Sequence, residues 1–300
     1  MSLKWRVVDC STLNGSIRTA RGSVNICKAD GSVTNLPLAD VAVLLLGMQV
    51  TVSAAALHRL MQQDISVLIC DWKGVPEGGI YSWSEHGRVG ARARAQATLT
   101  VPRAKNAWGR IVKAKILGQA AVLQVNGSRE HKLLTELAGA VRSGDPANLE
   151  AQAARIYWDA ISGPGYFKRT PRLNLDDTNA CLNYAYTVLR GFGIQAVLAA
   201  GLTPALGVFH RNRANNFALV DDLIEPFRPA VDAGVFALSD KDIAKPKVRA
   251  ELVAIAQRKF AADGLTVPSV FRDFAQHYAL YVEKQIDFIN PPVWRREYAE

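Results

Sequence analysis

The hydrophobic period changes once along this 300-residue chain, and that change limits the fold more than any single motif does. Up to about residue 83 the apolar residues come in short runs rich in Val, Ile and Leu: Trp5–Asp9, Ser23–Cys27, Val41–Leu46 and Ile65–Cys70. Turn dipeptides bound them, namely Asn14-Gly15, Arg21-Gly22, Asp30-Gly31, Lys73-Gly74 and Gly78-Gly79. Short runs punctuated in this way read as strands. One helix interrupts them, Ser53–Gln63, with Ser53 suited to cap the alanine-rich start that follows. From about residue 103 the period is helical. The candidate helices are Lys105–Val125, Glu130–Ser143, Pro146–Ser162, Asp177–Gly193, a bent Asn215–Ala233, Pro246–Ala262 and Val270–Ile289. The expected class is α+β: a small β-rich domain over 1–83 carrying one helix, then a larger all-α domain over 103–289, with 290–300 as a C-terminal tail. Three hundred residues suffice for two such cores.

Between the two parts charge is one-sided. From Ser84 to Gly118 there are eight basic residues, Arg88, Arg92, Arg94, Arg103, Lys105, Arg110, Lys113 and Lys115, against one acid, Glu85. The segment 84–102 reads as a basic linker running into the first helices of the second domain. A patch of one sign is what contact with a phosphate backbone requires, and a solvated helix face is the alternative. The whole chain has a formal net charge of +9 and a pI of about 9.5. That balance favours a polyanionic partner, nucleic acid before an anionic membrane. The start, Met1-Ser2-Leu3-Lys4-Trp5, lacks the long apolar stretch of a signal peptide, and the most apolar run, Val41–Gly47, is too short to span a bilayer. A cytoplasmic protein without a membrane role is expected. Cys10, Cys27, Cys70 and Cys181 are scattered, with no C-x-x-C pair, so buried free thiols are expected rather than a zinc site or disulfides.

Chemistry concentrates in Gly207–Pro229, which holds His210 and three carboxylates in five positions, Asp221, Asp222 and Glu225. On a helix Asp222 and Glu225 share a face, and Asp221 lies one position off it. The acids could be a solvated helix face, but their neighbours Leu219, Val220, Leu223, Ile224 and Phe227 are apolar. Carboxylates beside an imidazole suit a hard, oxygen-seeking metal ion. A further acid, Glu150, sits among alanines in Leu149–Trp158, where it could approach another element closely or pair with Arg155 at the surface. Asp145-Pro146 looks like the N-cap and first position of its helix.

These motifs together resemble one family, the CRISPR-associated integrases, the universal spacer-acquisition (adaptation) subunit. Glu150 matches a helical glutamate of the family. Asp176, Asn179, Ala180, Leu182, Asn183, Tyr184 and Tyr186 match a D-x-x-N-A-x-L-N-Y-x-Y segment. Gly201, Gly207 and His210 match the next, and Asp221–Pro229 is similar to the family's D-D-L-x-E-P-F-R-P run. That last run, Val231-Asp232 after it and the Trp5-Arg6 start look most like the type II branch. The resemblance covers nearly the whole chain. It implies a β-sandwich-like N-terminal domain and an α-helical catalytic domain. It implies that Glu150, His210 and Glu225 bind Mg²⁺ or Mn²⁺, with Asp222 supporting catalysis. The implied reaction is insertion of prespacer DNA at repeat borders by attack of a 3′-hydroxyl, with endonuclease activity when water attacks instead. Homodimers bridged by a small ferredoxin-like adaptation subunit are the implied partners. Tyr166, Lys168, Arg169 and Arg228 join Arg88, Arg92, Arg94, Arg103, Lys105 and Arg110 as candidate DNA contacts. Arg228 is placed either to clamp a phosphate or to pair with Asp232, and Asn183 and Tyr186 are candidates for the surroundings of the site. Pro226 and Pro229 are expected to bend the chain so that Glu225 turns toward His210, whereas Asp221 is expected to point elsewhere. A stand-alone nuclease of branched DNA and a non-enzymatic nucleic-acid scaffold are the rival readings.

Overall fold

The computed structural model describes residues 6–72, 76–82, 86–163, 167–170, 173, 175–210, 212–260 and 262–295. It divides into two compact units, Met1–Trp83 and Ser84–Glu300.

The first unit contains β1 (Arg6–Cys10), β2 (Gly15–Ala20), β3 (Ser23–Lys28), β4 (Val33–Pro37), β5 (Val41–Leu46), β6 (Val50–Val52), α1 (Ala54–Gln62), β7 (Ser66–Cys70) and β8 (Pro76–Ile80). One sheet has the order β1-β5-β7-β8, parallel except for β8. Its inner strand β5 is buried at all of its residues, as the unbroken run Val41–Leu46 leads one to expect for a parallel strand covered on both faces. The other sheet has the order β4-β3-β2-β6, with β2, β3 and β4 antiparallel. The two residues Arg21-Gly22 join β2 to β3, and Gly22 takes φ +69°, a conformation that costs glycine little. Ile17 and Val24 of one sheet, Leu44 and Val67 of the other, and Ala56 and Leu60 of α1 share a single core. Ser53 caps α1 as expected, accepting the Ala56 N–H at 3.2 Å.

The second unit is helical: α2 (Val89–Ala97), α3 (Val101–Val125), α4 (His131–Ala140), α5 (Leu149–Ser162), α6 (Asp177–Ala199), α7 (Ala218–Leu223), α8 (Arg228–Ala237), α9 (Pro246–Ala256) and α10 (Val267–Val282). Among its described residues the only β pairing is an isolated bridge between Lys259 and Thr266. Helix α6 is buried on most of its circumference, which identifies it as a central helix. At Gly193 a Cβ would lie 2.7 Å from Val220 Cγ1 and 2.9 Å from the Phe271 ring, so glycine there lets α7 and α10 close on α6.

Among the departures from the sequence expectation, three change how the units are bounded or joined. The segment 84–102, expected to be a linker, holds helix α2 and the first residues of α3, and belongs to the second unit. The bent helix expected over 215–233 is three pieces, α7, a 3-10 turn at Glu225–Phe227, and α8, because Pro226 and Pro229 each lack the N–H that would continue the ladder. The expected tail packs as far as it is described. Trp294 is buried and lies against Gly118 of α3. No helix of the described residues is long and apolar enough to cross a membrane, and all four cysteines are free thiols.

Candidate active site

Asp145 fixes where α5 begins. Its buried carboxylate accepts the N–H groups of Leu149 at 2.9 Å and Glu150 at 3.0 Å. The helix therefore starts at Leu149 rather than Pro146. Residues 145–148 form a tight turn in which Asp145 and Asn148 take positive φ, +47° and +51°. An ionised acceptor at a helix start satisfies the orphan donors and suits the helix dipole. Its consequence for the site is that Glu150, in the first turn of α5, is held against α3.

On α3 the residue facing Glu150 is Lys115. Its Nζ lies 2.6 Å from Glu150 Oε1 and 2.6 Å from Glu225 Oε2. The two carboxylate oxygens are thus no further apart than twice that distance. On the other side, Arg228 Nη2 lies 3.2 Å from Glu225 Oε1. The Glu225 side chain is only 6% exposed. Burial pushes Glu225 up and Lys115 down, but the ion pairs outweigh it. Arg228 and Lys115 hold Glu225 below the usual carboxylate range, and Glu225 and Glu150 hold Lys115 above the usual amine range. Glu225 and Lys115 are thus held in their charged forms by the partners that surround them.

His210 stands at the rim of this space. Its Nδ1–H donates to Asp222 Oδ1, and Asp222 Oδ2 accepts the N–H of Phe209 at 2.8 Å. Asp222 is fully buried, the imidazole about half exposed. Burial pushes Asp222 up, and these donors oppose the rise. The hydrogen bond to Asp222, above all, raises His210 above the ordinary imidazole range, and Glu225 and Glu150 add to it. With Nδ1 committed to Asp222, Nε2 is the ring atom left for a ligand. Phe209 stacks on the buried Trp108 at 4.4 Å, and the His210 ring meets Trp108 edge-on at 5.5 Å. Gly207 makes the turn possible, since a Cβ there would lie 2.5 Å from the His210 carbonyl oxygen and 3.0 Å from Asp222 Oδ2.

Glu150, Glu225 and the Nε2 of His210 offer hard oxygen donors and one imidazole, the donor set that suits Mg²⁺ or Mn²⁺. Two observations fit a cation here. Glu225 Oε2 is buried and accepts no hydrogen bond in line, although the Lys115 ammonium touches it. A positive charge, that ammonium, already lies between the two carboxylates. Among the described residues no three His, Cys, Asp or Glu side chains are gathered closely enough to hold a metal ion; the lysine occupies the middle.

Around the site the expected pairings are redistributed. Arg228 bonds to Glu225, not to Asp232, and its guanidinium lies over the Tyr186 ring at 4.9 Å. Asp232 accepts the Tyr186 hydroxyl instead, and burial raises Asp232 to about 6. Arg169 approaches the same ring at 5.3 Å and donates to Asn179 and Asn183, each at 2.8 Å. Asn183 and Tyr186 thus support Arg169 and Arg228 rather than face Glu150. Asp221 pairs with Arg190 at 2.9 Å and accepts from Asn215 at 2.8 Å, apart from the Lys115 cluster.

The basic segment divides. Arg92 is buried, donating to the Ala200 carbonyl at 2.6 Å and pairing with Glu283 at 3.2 Å, and Arg103 donates to the carbonyls of Tyr281 and Ile286. Both brace α2 and α3 against α10 and its exit, so neither guanidinium is free for a phosphate. Arg88 is exposed and paired with Glu283, while Arg110 is half-buried over the Phe288 ring. Arg94, Lys105 and Lys168 are exposed. Tyr166 lies outside the described residues. In the sequence Lys115 is one base in a run of eight. The signal that separates it is spacing, because Trp108, Ile111, Lys115, Gly118 and Val122 follow the three-and-four step of one helix face, and the other four are buried.

Comparison with known proteins bears on the family and the fold. Residues 11–251 match the family described as CRISPR associated protein Cas1. A curated relative, the CRISPR-associated endonuclease Cas1 of Neisseria meningitidis serogroup C (strain 8013), is 35% identical over 229 residues, covering 76% of this chain and 73% of that protein. A solved casposase bound to integration product reaches a TM-score of 0.80 at 18% identity, covering 96% of this chain and 93% of that one. The chain of a Cas6-RT-Cas1–Cas2 complex reaches 0.77 at 20% identity, covering 99% of this chain and 37% of that one. At those identities the structures speak for the fold. The family match over most of the sequence and the meningococcal relative place this chain in the Cas1 family of CRISPR associated proteins.

Proposed function

We propose that this chain is a metal-dependent DNA endonuclease and integrase of the type II branch, which inserts prespacer DNA into CRISPR arrays. The observation that carries the reading is the convergence of Glu150 and Glu225 on one largely enclosed cation, beside an imidazole held by Asp222. In the reaction a prespacer 3′-hydroxyl attacks a phosphodiester at the repeat border. A new P–O bond forms, the P–O bond to the old 3′-oxygen breaks, and the proton lost by the attacking hydroxyl is matched by one taken up by the leaving 3′-oxygen. Mg²⁺ or Mn²⁺ bound at the site would acidify the attacking hydroxyl and offset charge on the phosphate. Glu150 and Glu225 supply the anionic ligands. Asp222 holds His210 in the tautomer that presents Nε2. Arg228 keeps Glu225 ionised and turned inward. Exposed cations at Arg94, Lys105 and Lys168, with Arg88 and Arg110, provide the surface for DNA phosphates. Partners consistent with this role are a second copy of the chain and the small adaptation subunit, because a spacer has two ends to join.

DNA with a free 3′-hydroxyl, compared with DNA ending in a 2′,3′-dideoxynucleotide, tests the reading. Joined product from the free end alone is expected. Equal cutting of both with no joined product would leave a nuclease in its place.

A further inference from the structure

We infer that Lys115 is the resident cation of the candidate metal site: its ammonium neutralises Glu150 and Glu225 until a divalent ion displaces it. The inference rests on the metal-site reading above. Lys115 lies on the inward face of α3, where Trp108, Ile111, Gly118 and Val122 are buried. A base placed there is costly unless paired, and an apolar side chain would serve packing as well or better. The lysine meets both acids at 2.6 Å, each through one oxygen. With Arg228 on the far oxygen of Glu225, the four side chains sum to zero formal charge. Mg²⁺ binds oxygen at about 2.1 Å, closer than the ammonium does. One position between the carboxylates therefore cannot hold both cations, and like-charge repulsion opposes their close approach. Nothing else among the described residues competes for that position: Arg228 approaches Glu225 from the other oxygen, and His210 bonds Asp222.

The test measures Mn²⁺ binding to the full-length protein without DNA, by the electron paramagnetic resonance signal of free Mn²⁺. The proteins compared are wild type, Lys115→Met, Lys115→Gln and Glu225→Gln. Removing the competing charge is expected to tighten Mn²⁺ binding at least about tenfold in both Lys115 variants. Their melting temperatures are expected to be lower than wild type without metal and to rise further on adding Mn²⁺. Unchanged or weaker binding in a folded Lys115 variant, while Glu225→Gln is weakened, overturns the inference. Wild-type affinity in Glu225→Gln instead overturns the metal-site reading itself. Where a Lys115 variant does not fold alone, recovery of the fold in millimolar Mn²⁺ supports displacement, and no recovery counts against it.

Discussion

His210 donates its Nδ1 proton to Asp222, a carboxylate with no solvent exposure that also accepts the backbone N–H of Phe209. The imidazole is therefore held by a buried anion that fixes both its orientation and its tautomer. Asp222→Asn is expected to lower strand transfer by about 10- to 100-fold, the usual effect of losing a carboxylate behind a ligand histidine, with DNA affinity retained. The same change should move the His210 titration, followed by NMR, down toward the ordinary imidazole range, because the anion that raises it is gone. The sign for stability follows. The ion-pair contribution of Asp222 to His210 is fully present below the ordinary imidazole pKa and is lost as pH rises through the raised one, while the neutral ring keeps its Nδ1–H bond to Asp222.

Gly207 has no room for a side chain. A Cβ would meet the His210 carbonyl oxygen at 2.5 Å, so Gly207→Ala must shift the turn that carries the histidine. Overpacking of this kind costs about 1–3 kcal/mol, to be read from urea unfolding. A loss of strand transfer larger than the loss of folded protein is expected.

Asp232 gives the helical unit a pH dependence. Burial raises its carboxyl to about 6, against 3.8 for the ordinary value. The folded state thus holds its proton more tightly, so the contribution is fully present below 3.8 and is lost as pH rises through about 6. The stability of wild type relative to Asp232→Asn is expected to fall by roughly 2–3 kcal/mol between pH 4 and pH 7. Paired urea titrations across that range check it, and a constant difference contradicts it.

Asp221 sits next to Asp222 in sequence but pairs with Arg190 and Asn215. A part-exposed ion pair contributes about 0–1 kcal/mol. Asp221→Ala should therefore stay close to wild type in thermal unfolding and strand transfer, in contrast to Asp222→Asn.

The sequence carried the division into a strand-rich first part and a helical second part, the Ser53 cap and the Gly207–Pro229 run, because each rests on local signals. Glu150 was legible through its alanine-rich helix and the family resemblance. Its true anchor, Asp145 acting through a turn with positive φ, was not, since Asp145-Pro146 imitates an ordinary cap. Lys115 was hidden for a different reason. In a run of bases its charge resembles its neighbours'; helical spacing sets it on the face of Trp108, Ile111, Gly118 and Val122, but the acids it meets, on α5 and the Glu225 turn, come from distant sequence. Arg92 and Arg103 belong to the same class, bases turned into the fold by partners at Ala200, Tyr281 and Glu283, far along the chain.

Glu150 and Glu225, which meet at the Lys115 ammonium, are placed to act as one reactive centre. Strand transfer of a prespacer with free 3′-hydroxyls into a repeat-containing plasmid, in Mn²⁺, checks this when run on Glu150→Gln and Glu225→Gln beside wild type. Both variants are expected to fold and to bind DNA, yet to yield no joined product. Joining at the wild-type rate by either variant would contradict the claim.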